Sequence, residues 1–423
     1  MIIKNTKIQS YLPWLALLAL TFSPHIGLDY VYKTFDGQLL QISHGKYIFF
    51  FLTMSVGVYF LVIGNQNNIK ILLNSKILRT GFILLLAGIG LAFSGISGWR
   101  LITIILIISI SAIFAANYFQ SYEKNHFLVL GIVVAPYSVP VLGSIMIEFL
   151  GIIDINTLLL NAKHLEFNPP RWHFLNNSAN GFGFDAALFG FSMIIFANKT
   201  KKLISKLFFA FLACIAVYAL LNSGTRAAFV FFITALAAYS VFYYGMNGIK
   251  LFSLIIFLIG LTVYFTDVWD FTKDFLRITS DFDKTTSYRF QGMVKMWDVF
   301  VESPIQAFGF GSADNNPPFQ PSNIFYIGML AEIGIFGMLG SVIIIFHPLG
   351  LIIKNIIKQN RLSILRESPL GILFSASVLM GFVPYLMLEF EVWRVSANNQ
   401  LFFFCWGWAI FYFTNFKSLK KND

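Results

Sequence analysis

About twelve apolar stretches recur along this chain, near 11–29, 46–64, 78–96, 101–119, 127–150, 182–198, 205–221, 225–245, 249–266, 324–350, 369–388 and 398–415. A helix needs about 20 mostly apolar residues to cross the hydrocarbon core of a bilayer. Only a helix of that length satisfies its own backbone in lipid. The sequence therefore predicts an all-α polytopic membrane protein with about twelve transmembrane helices, residues 1–423 forming a single integral membrane domain. Composition agrees: 12% of residues are charged, against about 25% in soluble proteins. Mean hydropathy is +0.72, and 49 Phe supply bulk suited to lipid-facing surfaces. Lys4 and Lys7 precede an apolar run, as in a signal peptide. No small-residue cleavage site follows, and Pro24 and His25 come instead, so the run reads as the first span.

Charge sets the orientation. With both termini in the cytoplasm, the inside segments hold 18 of the 30 Lys and Arg, among them Lys199, Lys201, Lys202, Lys206, Lys354, Lys358 and Arg361. The only acids beside them are Glu123, Glu367 and Asp423. This is the positive-inside pattern. The net charge of +10 is thus a topology signal and not a nucleic-acid patch. Cys214 and Cys405 sit within apolar runs as packing residues. With six His, two Cys and no HExxH or CxxC, neither a metal site nor a cofactor is expected.

Three segments fall on the outer face: 151–181, the tight turn at 222–225, and 267–323. The last is a large polar loop between spans nine and ten, too long for a typical transporter. A membrane enzyme working on a polar substrate at the surface would need it. Within it, Phe290, Met293, Val294, Trp297, Phe300 and Val301 recur at helical spacing, with Lys295, Asp298 and Glu302 between them. That pattern predicts an amphipathic helix along the membrane surface.

Arg226 is the sharpest single residue. It follows Asn222-Ser223-Gly224-Thr225 in the first turn of a span. Ser223 or Thr225 can cap that helix and Gly224 permits the reversal. A base there opposes the helix dipole, so local stability does not explain it. Free N–H groups beside a guanidinium make an anion site; snorkelling to lipid headgroups is the plainer reading. Arg289 opens the amphipathic stretch, and alone reads as a solvated surface base. Arg171 and Trp172 precede His173 and the amide-rich run to Asn180; Trp172 offers either a stacking surface for a sugar or an interfacial anchor. Gly309 and Gly311 let the loop turn close to a neighbour or substrate. Glu332 lies deep in a span and must face the bundle, because a lone carboxylate is costly in lipid.

Ser223-Gly224-Thr225-Arg226-Ala227-Ala228 resembles the signature of the O-antigen ligase and polymerase superfamily. So do Arg289 upstream of Pro304, Gly309-x-Gly311, Asn323, and Leu330-Ala331-Glu332-Ile333-Gly334. Arg171 to Gly181 resembles the segment before that family's sixth span. The resemblance runs from about residue 165 to 340; the first half shares only its hydropathy. It implies a GT-C-like glycosyltransferase of the bacterial inner membrane with a periplasmic active site. Arg226 and Arg289 match the family's essential arginines and would be catalytic, with Arg171, Trp172, Asn180, Gly309, Gly311, Asn323 and Glu332 binding substrate. Its donor and acceptor would be undecaprenyl-pyrophosphate-linked oligosaccharides. Ligases of the superfamily carry His-Asn where this chain has Ser322-Asn323. That departure argues for a Wzy-type polymerase of O-antigen or a related surface polysaccharide, in lipopolysaccharide biosynthesis. The general base then falls to Asp314, Glu391 or His173, chosen by placement alone. A chain-length regulator is a further partner that such a polymerase admits. Three rivals stand: a ligase transferring glycan to lipid A-core, a lipid-linked glycan flippase, and a secondary transporter of twelve spans.

Overall fold

The computed structural model describes residues 18, 31–33, 39–41, 75–92, 126–150, 163–164, 171–172, 179–265, 281–307, 325–359, 365–366, 368–388 and 397–419. Among them are ten helices: α1 (Lys76–Leu91), α2 (His126–Leu150), α3 (Ala179–Lys199), α4 (Leu203–Ser223), α5 (Arg226–Tyr244), α6 (Met246–Phe265), α7 (Asp281–Glu302), α8 (Phe325–Gln359), α9 (Leu370–Leu388) and α10 (Ala397–Leu419). Nine overlie apolar stretches, and α7 covers the stretch expected to form an amphipathic helix. Six of the nine are long and apolar enough to cross a membrane: α2, α3, α4, α5, α8 and α9. The stretches near 11–29, 46–64 and 101–119 lie outside the described residues, apart from Leu18, which is helical. The protein is thus helical, with several helices fit to span a bilayer. Four short strands, absent from the all-α expectation, pair as two antiparallel hairpins: β1 (Val31–Lys33) with β2 (Leu39–Gln41), and β3 (Lys163–His164) with β4 (Arg171–Trp172).

The chain divides into two compact units. In the first (residues 1–64, 117–232 and 395–404), α3 is the central helix and packs on both α2 and α4. Phe182, Phe184, Ala187, Leu188 and Phe191 of α3 are wholly enclosed. Gly190 lets α4 approach, since a Cβ there would lie 3.1 Å from that of Ala216. Small residues at such contacts allow helices without a hydrophobic driving force to gain van der Waals contact. The opposite face of α4, with Leu207, Phe208 and Phe211, is exposed apolar surface, as a lipid-facing helix requires.

The second unit (65–116, 233–394 and 405–423) is built on α8. At 1.5 Å per residue its 35 residues would span roughly 52 Å, well beyond the hydrocarbon core. Non-helical backbone at Gly334 interrupts it. Helix α1 crosses α8 through glycines. A Cβ at Gly88 would strike the backbone nitrogen of Gly337, and one at Gly340 that of Leu85.

Pro348 lies inside α8 and has no N–H to give the carbonyl of Ile344, four residues earlier. The indole Nε1–H of Trp406 on α10 donates to that carbonyl at 2.7 Å. Trp406→Phe should therefore destabilise the fold by about 1–3 kcal/mol, the usual penalty for a bared buried polar group. In a Pro348→Ala background the helix regains its own donor, and the loss should shrink. Thermal unfolding of the four proteins of this cycle in detergent checks it; equal losses in both backgrounds would count against the account.

Candidate functional site

In the first unit the site grows from the turn joining α4 to α5. Gly224 ends α4 in the left-handed region, φ 59° and ψ 25°, its N–H bonded to the Leu221 carbonyl. That conformation suits a residue without Cβ. The Ser223 hydroxyl donates to the Leu220 carbonyl at 2.6 Å and accepts the Thr225 N–H at 3.2 Å. One buried hydroxyl thus closes the first helix and holds the entry to the second. The Thr225 carbonyl accepts the first helical bond of α5, from the Phe229 N–H at 3.1 Å, which puts Thr225 at the cap position. Ser223 and Thr225 are buried.

Arg226 is then the first residue of α5 and is half-buried. Buried Ala227 and Ala228 follow, and the Phe231 ring packs 4.7 Å from that of Phe184 on α3. Gly183 lets α3 lie directly against the turn. A Cβ there would sit 2.6 Å from Ser223 Oγ and 2.7 Å from Thr225 Cβ. The base is therefore held on a turn locked from two sides. Sequence reasoning passed over Gly183; its signal was glycine inside an otherwise apolar helix, where it costs about 1 kcal/mol without a packing reason.

Arg171 and Trp172 form strand β4, which lies against α3 and α4; His164 pairs with Arg171 across the hairpin. Asn180 is half-buried at the start of α3. This unit therefore gathers Arg171, Asn180 and Arg226 on neighbouring elements. Asp185 is buried in α3.

In the second unit α7 carries Arg289 and α8 carries half-buried Glu332. The amphipathic helix exists, and it starts earlier than the apolar stripe. Its docked face also differs from that stripe. Met296 and Val299 pack on Ala331, with Ile327 beside them, whereas Val294, Trp297 and Val301 are exposed. The helix has two apolar faces, one for protein and one free. A periodic pattern adds both together and cannot say which side a neighbour takes.

At the end of α7 the chain turns through Pro304 and Ile305 into the break at Gly334. The Ile335 N–H bonds the Pro304 carbonyl at 3.0 Å. Gly334 itself has φ 65° and ψ −173°. His173, Gly309, Gly311, Asp314, Asn323 and Glu391 lie outside the described residues.

No curated protein matches the chain. A family model described as O-antigen ligase matches residues 209–342. The matched stretch holds the Ser223–Arg226 turn, the Arg289 helix and the broken span with Glu332, and leaves out Arg171, Trp172 and Asn180. The turn, the helix α7 and the broken span thus fall within one match, and over residues 209–342 the chain is similar to the O-antigen ligase family.

Proposed function

We propose that this chain is a membrane glycosyltransferase that polymerises undecaprenyl-pyrophosphate-linked repeat units into O-antigen or a related surface polysaccharide. The observation that carries the reading is Arg226, half-buried at a helix start on a turn fixed by buried hydroxyls. Twelve spans, cytoplasmic termini and a periplasmic loop over 267–323 complete the proposed arrangement in the inner membrane. The exposed apolar line of α7, Val294, Trp297 and Val301, suits a helix resting on the membrane surface.

In the proposed reaction the bond from the anomeric carbon to the phosphate oxygen breaks, and undecaprenyl pyrophosphate leaves with the electron pair. A hydroxyl of the acceptor sugar forms the new glycosidic bond and gives its proton to a base, for which Asp314, Glu391 and His173 are the candidates. Charge on the leaving group is the main demand. Arg226 and Arg289 are proposed to meet it, because a guanidinium stays protonated and binds phosphate oxygens through paired hydrogen bonds. Arg171, Trp172, Asn180, Gly309, Gly311, Asn323 and Glu332 are assigned to substrate.

Ser322, where ligases carry His, favours the polymerase. The description of the matching family as O-antigen ligase favours transfer to lipid A-core instead. Deleting the gene and resolving surface polysaccharide by gel separates the two. A polymerase deletion should leave a single repeat unit on the lipid anchor and no ladder. Loss of every repeat unit would point to a ligase or flippase and overturn the polymerase reading.

A further inference from the structure

A membrane span rarely admits irregular backbone unless protein covers it, and the break in α8 is so covered. Gly334 takes a conformation that L side chains rarely adopt, φ 65° with ψ −173°. The turn after α7 fills the gap. Any Cβ at Gly334 would lie 2.7 Å from the Ile305 carbonyl oxygen and 2.9 Å from that of Pro304. The Ile335 N–H, at the head of the second half-helix, bonds the Pro304 carbonyl. One and two turns before the break, Ala331 and Ile327 receive Met296 and Val299 of α7. The helix that bears Arg289 is therefore fastened to the span that bears Glu332 at two points, one apolar and one through backbone.

We propose that the Gly334 break is a positioning device: by docking the Pro304–Ile305 turn it fixes the Arg289 helix against the Glu332 span, and so sets where the loop arginine stands for the transfer. This rests on the reading of Arg289 given above. Gly334, Ile335 and Pro304 act through the helix they hold and are not themselves placed on substrate. The break thus gives a loop outside the spans the fixed geometry that displacement by even one ångström can degrade by about 100-fold in rate.

The informative variant is Ile335→Pro. It deletes one N–H at a helix start, where proline is tolerated, and follows a glycine in extended ψ, which suits the residue before proline. Ile335→Ala keeps the N–H and is the conservative control. Gly334→Ala presses a Cβ on the docked carbonyls and serves as the second variant should the proline protein fail to accumulate. Each full-length protein is expressed in the gene-deleted host, where the host's own lipid-linked glycan is the probe, and is also purified in nanodiscs for hydrogen exchange. Ile335→Pro and Gly334→Ala should cut polymer yield by about 100-fold and speed amide exchange across 281–302, with exchange in α9 unchanged. Ile335→Ala should keep wild-type polymer and exchange. Wild-type polymer from both damaging variants would overturn the proposal. So would lost polymer with unchanged exchange in α7, or faster exchange with normal polymer. Arg289→Ala runs beside them: normal polymer from that variant would instead sink the role of Arg289, and with it the function reading.

Discussion

Replacing Arg226 by alanine is expected to abolish long-chain polymer while the protein still accumulates in the membrane. The turn that presents Arg226 is held by Ser223, Gly224 and Thr225 through bonds among backbone and hydroxyl groups, and those bonds do not run through the guanidinium. What disappears is the donor proposed above for the leaving pyrophosphate. Preorganised donors of this kind are worth about 3–4 kcal/mol, or 100- to 1,000-fold in rate. Lysine should rescue poorly, because an ammonium supplies charge without the paired, planar hydrogen bonds. The measurement is a gel of surface polysaccharide together with the membrane level of the variant. Normal chain lengths from Arg226→Ala would end the proposed role.

The second large effect is on folding. Gly88→Val should prevent α1 from closing on α8, since the added carbon would meet backbone of Gly337 and lie 2.8 Å from the Ile333 carbonyl oxygen. Backbone cannot rotate away as a side chain can. The usual overpacking penalty of about 1–3 kcal/mol is then a lower bound. Two glycines of the same helix grade the result. Gly81 faces Ile343 Cγ2 at 2.9 Å, the end of a side chain that can shift, and its valine variant should lose less. Gly90 faces nothing within 4 Å, and Gly90→Val should melt like wild type. Unfolding temperature and yield in detergent give the order directly; equal effects at 88 and 90 would refute the contact as the cause.

Much of the helical layout was readable because lipid makes one demand, a long apolar run, and composition records it directly. Helices α4 and α9 end within two residues of their stretches at 205–221 and 369–388. α8 outruns its stretch at 324–350 by nine residues, because amphipathic Lys354–Lys358 continues the helix after the apolar signal fades. The site was less legible. Arg226 stood out by charge against a helix dipole, a local rule. Gly183 and the Pro304–Gly334 docking join positions 30 to 40 residues apart in sequence, and no local rule reaches that far. Met296 escaped the stripe for a similar reason: which apolar face of α7 is taken depends on α8, not on α7.

The bond from Trp406 to Ile344 has a consequence for how the protein is made. Its partners are 62 residues apart in the chain. At 5–20 residues per second, α8 waits roughly 3–12 s for the tryptophan to be synthesised. Through that interval the proline-bared carbonyl has no indole to receive, inside a bilayer that offers no water in its place. Helix α10 therefore completes the middle of the molecule only after α8 has been made. A chain truncated ahead of it would expose to membrane quality control a polar flaw that the finished protein conceals.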